Sequence, residues 1–292
     1  MHDVVIIGGS YAGMAAALQL LRARRSVLVI DAGLRRNRFA SRSHGFLGQD
    51  GVDPAEIARV ARSQLGAYPT LHWVEDTALA ASGSKDGFTV ATASGAVHHG
   101  RRLLFATGVS DTLPAIDGLA ERWGRSVFHC PYCHGYELER GRIGVIATGE
   151  GALHQARLVA EWGEVTLFTH GAFVPGAGAR AELAAHGVAL EEVSIARIEE
   201  TALVVLEDGR QLDFAGLFTA PLNAPATPIA QALGCALAET PFGTQIRADE
   251  AKETSIPGAY ACGDAARVPH SVSLAVADGA WAGVNLHRSL VF

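Results

Sequence analysis

Long basic runs are missing from this chain: Lys and Arg never stand more than two together, and the net charge is −6. Nucleic-acid affinity rests on clustered cations that neutralise phosphates, so no nucleic-acid partner is expected. No stretch is long and apolar enough to span a bilayer, which leaves no membrane partner either. The first strand begins within three residues of Met1, leaving no room for a signal peptide and pointing to a cytoplasmic location. Low-complexity segments are absent. Cysteine is scarce, and two of its four residues fall in one hexapeptide, His129-Cys130-Pro131-Tyr132-Cys133-His134. In a reducing compartment such a pair is more readily catalytic than structural. What is present is an ordinary globular composition, 49% hydrophobic and 18% charged over 292 residues, enough for about two domains.

The hexapeptide carries the chemistry. C-x-x-C spacing brings two sulfurs within disulfide reach across one turn, and a neighbouring imidazolium lowers a thiol pKa towards the reactive thiolate. His129 and His134 bracket the pair and could do this, or each could be a hydrogen-bonded packing residue. A zinc site would need two more ligands, and Cys235 and Cys262 are isolated, so no metal is expected. A glutaredoxin-like domain would place Cys-Pro-Tyr-Cys early, after a single strand, and not between two nucleotide-binding segments.

The opening residues form the first of those segments. Asp3 to Ile7 reads as a buried strand, Gly8-Gly9-Ser10-Tyr11-Ala12-Gly13 as a glycine turn, and the alanine-rich stretch to about Arg24 as a helix. A second strand, Val27 to Ile30, ends at Asp31, 23 residues beyond the first glycine, where a carboxylate can accept from a free ribose hydroxyl. Gly8 permits the turn, Gly13 lets helix and strand pack closely, and the helix-start amides attract a pyrophosphate. Ser10 departs from the middle glycine of G-x-G-x-x-G. Arg35, Arg36 and Arg38 read as phosphate or adenine neighbours, because Asp31 would repel a 2′-phosphate.

Asp53-Pro54 starts a helix to about Leu65, with Asp as N-cap and Pro at the first turn. Leu71 to Phe105 reads as a meander of short strands ending in the glycine turn Ala106-Thr107-Gly108. Residues 142 to 168 repeat the strand, turn, helix, strand order, residues 202 to 220 supply further strands, and Gly243 to Asp249 looks like the return crossing. A strand closes at Gly263-Asp264, and Ser271 to Arg288 is a final helix. The expectation is an α/β protein of two Rossmann-like, three-layer domains: residues 1–112 with 243–292, and an inserted domain of residues 113–242 that carries the C-x-x-C.

Taken together, Gly8 to Gly13, Asp31, Ala106 to Gly108, Cys130 to Cys133 and Gly263-Asp264 resemble the low-molecular-weight thioredoxin reductase group of FAD-dependent disulfide oxidoreductases, over essentially the whole chain. The resemblance is greatest to the gliotoxin and holomycin type of dithiol oxidase, which also carries a histidine after the second cysteine. It implies FAD in the discontinuous domain, a homodimer, and a disulfide facing the flavin. It further implies that Asp264 bonds the ribityl chain, that the helix start near Val272 points at the flavin C2 carbonyl, and that His44 lies in a flavin-flanking loop. By the same resemblance Cys133 is the flavin-side sulfur and Cys130 the outer one. His134 stands where ordinary thioredoxin reductases carry an acid, and it is expected to titrate near neutrality and take a proton from an incoming thiol, with His129 as an alternative.

The second nucleotide segment departs from a working NADPH site. Its turn, Ala147-Thr148-Gly149-Glu150-Gly151-Ala152, has alanine for the first glycine and a negative charge at Glu150. Thr169-His170-Gly171-Ala172 occupies the place of the paired arginines of NADPH users, so NADPH is a doubtful cofactor. The function expected is FAD-dependent oxidation of a small-molecule or peptide dithiol, with electrons passing to oxygen. The alternatives are an NADPH-dependent thioredoxin reductase acting on a thioredoxin-like protein, and a non-catalytic FAD-binding redox sensor.

Overall fold

A computed structural model describes residues 1–292, which divide into two units. Unit 1 holds Met1–Arg38, Phe46–Ser110 and Asn223–Phe292; unit 2 holds Phe39–Gly45 and Asp111–Leu222.

Unit 1 is built on β1 (His2–Ile7), α1 (Tyr11–Arg22), β2 (Val27–Asp31), α2 (Pro54–Leu65), β3 (Leu71–Glu75), β4 (Ala78–Ser82), β5 (Phe88–Thr92) and β6 (Val97–Phe105). Its sheet runs β3-β2-β1-β6-β5-β4, parallel from β3 through β6 and antiparallel thereafter. Strand Ala259–Ala261 adds in parallel beside the last third of β6. Residues along a strand alternate between faces, so the near-continuous apolar runs of β1 and β2 serve two cores at once. Val4, Ile6, Val27 and Val29 face α1 and the final helix, Val272–Val291; Val5, Ile7, Leu28 and Ile30 face Phe88, Ile229 and Ile246.

Unit 2 repeats the layering. Its parallel sheet runs Ala189–Glu191, Glu164–Phe168, Arg142–Ile146, Gly216–Thr219, Val127–Phe128. Helices Ala152–Val159 and Ala177–Ala185 supply Ala156, Val159 and Leu183 to one core. On the other side an antiparallel sheet of Ile195–Glu199, Leu203–Leu206 and Gln211–Asp213 contributes Ile198, Val204 and Leu206.

Three sequence expectations need correction. Leu71–Glu75 is not part of a meander: it pairs in parallel with β2, and only β4, β5 and β6 form the meander. The chain returns to unit 1 at Leu222–Pro225, not at Gly243, because Ile229, Ala230, Cys235 and Ile246 are buried against Phe88 and Val90. Phe39–Gly45 groups with unit 2, taking His44 out of the first unit.

The Asp53 cap is present, its side chain accepting from Ala55 N–H at 2.7 Å. The final helix is capped by Ser271, which accepts from Leu274 N–H at 3.1 Å. At its other end the buried Arg102 guanidinium donates to Ser289 Oγ at 3.0 Å and pairs with Asp86 at 2.8 Å.

The final helix also packs on α1 with almost no room between backbones. A β-carbon on Gly279 would lie 2.1 Å from the Ala12 carbonyl oxygen, and one on Gly283 2.5 Å from that of Ala16. Neither obstacle is a flexible side chain, so a methyl group forces one helix to move. Gly279→Ala is expected to destabilise unit 1 by about 1–3 kcal/mol, the usual cost of overpacking. Gly178→Ala, also helical but with nothing within 4 Å of the added carbon, is expected to be neutral or to stabilise by up to about 1 kcal/mol. Urea unfolding of both variants checks the contrast, and equal effects would mean that the helices yield freely.

Candidate functional site

The predicted dinucleotide residues assemble at the carboxyl ends of the unit 1 strands, the general location of ligands in open α/β sheets. Gly8 follows β1 with φ +107°, and a β-carbon there would lie 2.3 Å from the Ala106 carbonyl oxygen, so only glycine fits. Gly13 approaches the Gly8 carbonyl to 1.9 Å by the same measure. Ser10 is the N-cap of α1 and makes no side-chain cap hydrogen bond, leaving the helix-start amides around Ala12 directed at the turn. Asp31 ends β2, its Oδ1 accepting from Gly9 and Gly33 N–H, each at 3.2 Å. Thr107 and Gly108 follow β6, and Gly263 and Asp264 follow Ala259–Ala261. Val272 opens the final helix and packs against the first core.

Beside this turn lies a cavity of about 580 Å³, whose walls include Gly9, Asp31, Arg35, Trp73, Glu75 and Thr77. Trp73 and Arg35 each keep a buried N–H, Nε1 and Nε, without a protein partner. The Arg62 guanidinium covers the Trp73 ring at 4.6 Å. A carboxylate for ribose, an indole wall, spare donors and a helix N-terminus suit the adenosine diphosphate half of FAD. Arg38 is not in the wall; it donates to the Arg35 carbonyl at 2.8 Å. Arg36 instead reaches Asp264 Oδ2 at 3.6 Å and His270 Nδ1 at 3.0 Å.

The other group lies in unit 2. Cys130 and Cys133 form a disulfide, with Cα atoms 5.3 Å apart, on a turn that leaves the edge strand Val127–Phe128 and enters the short helix Pro131–His134. His134 stacks on Phe128 with ring centroids 4.2 Å apart and planes 16° from parallel. His129 faces Trp123 at 6.1 Å, and its carbonyl accepts from Gln155 Nε2 at 3.4 Å. Tyr132, between the cysteines, is 71% exposed and meets Trp162 edge-on at 5.2 Å. His44 Nε2 lies 3.3 Å from Glu137 Oε1, so in this structure its polar partner belongs to the redox unit.

Burial, helped by the nearby His44, pushes the His134 imidazole down to about 4. This direction runs against the expectation that it titrates near neutrality, and the Phe128 ring covers one face of the imidazole.

The nicotinamide-type turn of unit 2 is differently made. Ala147 is buried, Thr148 Oγ1 donates to the Ala220 carbonyl at 2.7 Å, and Gly149 and Gly151 have nothing within 4 Å of an added β-carbon. His170 Nδ1 accepts from Ile195 N–H at 3.0 Å, and burial lowers its pKa. The neighbouring arginines are engaged: Arg180 grips both Glu192 oxygens at 2.8 and 2.7 Å, and Arg210 binds Glu191 and Asp208, each at 2.7 Å.

Sequence reading missed Trp73 and Asp278. The second was detectable, as the one acidic residue of an Ala-, Gly- and Val-rich helix, where an unpaired charge is rare. Trp73 carried no signal beyond its place in a strand.

Fold and site define a disulfide oxidoreductase with two nucleotide-type units. The chain belongs to the pyridine nucleotide-disulphide oxidoreductase family, a flavoprotein family whose profile matches residues 2–279. It is 33% identical to thioredoxin reductase tcpT of Claviceps purpurea, covering 96% of this chain and 92% of that one. Identity to thioredoxin reductase aclD of Aspergillus oryzae is 32%, over 100% and 97%. Among solved structures, an oxidoreductase from Agrobacterium tumefaciens superposes with a TM-score of 0.97 at 54% identity, over 100% and 99% of the two chains. HlmI superposes at 0.91 with 33% identity, over 99% and 92%.

The His134 shift sets a test. A histidine that stays neutral when folded is protonated more readily in the unfolded chain, so between pH 4 and 6.5 stability rises with pH and is fully present above 6.5. At about 1.4 kcal/mol per pH unit the window holds at most ~3.5 kcal/mol. His134→Gln is expected to flatten this part of the pH–stability curve, and NMR of the oxidised protein should give a His134 midpoint near 4. A midpoint between about 6 and 7 would mean that the ring remains solvated.

Proposed function

We propose that the protein is an FAD-dependent thiol–disulfide oxidoreductase that oxidises a small-molecule or peptide dithiol. The observation that carries this is the Cys130–Cys133 disulfide on an edge-strand turn flanked by imidazoles, in a chain whose other unit has a cavity suited to an adenine dinucleotide. In this reading Gly8, Ser10, Ala12, Gly13, Asp31, Thr107, Gly108, Gly263, Asp264 and Val272 hold FAD. Bound there, FAD supplies the two-electron acceptor that returns the thiol pair to the disulfide.

The rest is sulfur chemistry. A substrate thiolate attacks Cys130 Sγ, the Cys130–Cys133 bond breaks, and Cys133 leaves as a thiolate. The second substrate thiol, ionised, attacks the substrate sulfur of the mixed disulfide and releases Cys130. The substrate departs as a disulfide, having given two electrons and two protons. His134, with its pKa near 4, is a poor acceptor for a proton from a thiol of ordinary pKa about 8.5. A thiolate on Cys133 would raise that pKa, since a nearby negative charge favours the imidazolium. In this reading His134 takes up its proton after the disulfide opens and not before.

The engaged arginines and the Ala147 turn favour dithiol oxidation over NADPH use. Thioredoxin reduction with NADPH remains the second reading, favoured by the names of tcpT and aclD.

Anaerobic reduction by NADPH, NADH and a dithiol such as dithiothreitol, run in parallel, separates the two. The dithiol is expected to bleach the flavin quickly and NADPH slowly without tight saturation; rapid, saturable reduction by NADPH would overturn the oxidase reading. The order of the sulfurs has its own check. Cys133→Ser should trap substrate as a stable mixed disulfide on Cys130, visible by intact mass, and Cys130→Ser should trap far less. The reverse pattern would exchange the two roles.

A further inference from the structure

Asp278 is buried in the middle of the final helix, where its carboxylate does two things at once. Oδ1 pairs with Lys252 Nζ at 2.6 Å and lies 3.7 Å from Arg267 Nη1; Oδ2 accepts from Gly263 N–H at 2.9 Å. That last bond completes a series. Ala261 N–H donates to the Lys252 carbonyl, Cys262 N–H to the Phe105 carbonyl, and Gly263 N–H to Asp278, so three successive amides before Asp264 are tied to three different segments. Gly263 itself has φ +67°, and a β-carbon there would meet that of Ala12 at 2.6 Å. Lys252 adopts the left-handed φ of +71°, a conformation that lysine rarely takes unless its surroundings hold it.

We propose that Asp278 is a positioning residue for the cofactor: together with Lys252 it fixes the Cys262-Gly263-Asp264 turn so that Asp264 is presented to FAD. A carboxylate is required, because a neutral acceptor could keep the Gly263 bond but would leave the half-buried Lys252 and Arg267 cations without their counter-charge. The three charges come from the 252 turn, the residue after the Gly263–Ala266 turn, and the final helix. Two of the cofactor elements, the turn and the helix that starts at Val272, are thereby joined through one side chain.

The proposal rests on the FAD reading above, and the test separates the two. FAD titration of the apoprotein, followed by flavin fluorescence, is expected to show binding weakened at least about tenfold in Asp278→Ala and Asp278→Asn, about the worth of one charge-assisted hydrogen bond. Asp278→Asn combined with Lys252→Met, which removes the stranded cation, should recover a large part of the loss. Amide exchange at Gly263 gives a readout that needs no flavin: protected in the wild-type apoprotein, fast in Asp278→Ala. If the wild type bound no FAD but Gly263 exchange still depended on Asp278, the FAD reading would fall and the anchoring of the turn would stand. Folded Asp278→Ala with wild-type FAD affinity would overturn the positioning role, as would unchanged Gly263 protection. Should the Asp278 variants fail to fold, Lys252→Met alone is expected to weaken FAD binding severalfold, and wild-type affinity there would count against the proposal.

Discussion

Two helices distant in sequence cross at a separation that leaves room for hydrogen and nothing larger. Gly279 and Gly283 lay the final helix on the backbone of α1 at Ala12 and Ala16, and the nucleotide unit closes through this contact. Its sheet and first helix come from the start of the chain, while Gly263, Asp264 and Val272 come from the end, so nothing local brings them together. Once the crossing forms, Gly263 is pressed against Ala12 at the head of α1, and the turn after Ala259–Ala261 is delivered to the glycine turn after β1. Side chains any bigger at those positions would hold the turn after Ala259–Ala261 away from the glycine turn after β1.

The second unit shows what the same layering does without that crowding. Both units stack helices, a parallel sheet and an antiparallel sheet. In unit 1 the signature glycines are demanded by contact, with Gly8 against Ala106 and Gly13 against Gly8. In unit 2 Gly149 and Gly151 touch nothing that a methyl group would disturb, and the helix they precede has 8 residues against 12 in α1. Ala147 stands where unit 1 has Gly8, so the turn of unit 2 is not built on the bare backbone that the first turn needs.

What was legible in the sequence follows the same division. The first βαβ unit, the Asp53-Pro54 helix start and the C-x-x-C turn are local patterns, each set by a few adjacent residues, and each is present as read. The errors concern partners far along the chain. Leu71–Glu75 alternates like any half-buried strand, and only its pairing with β2 makes it part of the parallel sheet. The helix Ile229–Leu233 is too short to show a period, so nothing local marks the return at Leu222, which rests on burial of Ile229 and Ala230 with Phe88. Asp278 was readable as an anomaly, a charge inside an apolar helix, but its partner Lys252 lies in a turn with no motif.

The redox turn poses the reverse problem: its residues are adjacent, yet their chemistry is set by what lies beneath them. Phe128 ends a strand whose other neighbours are apolar, and it offers its ring face to His134. Burial there lowers the imidazole's pKa to about 4, so the ring is uncharged at neutral pH. An acid at this position, ionised at neutral pH, would oppose the charge that grows on Cys133 as the sulfur bond opens. A neutral imidazole offers no such opposition, and in the proposed reaction the thiolate would favour its protonation by a proton released from the substrate's second thiol. In the proposed reaction burial thus turns a residue that looks like a base in the sequence into one whose protonation would follow the sulfur chemistry.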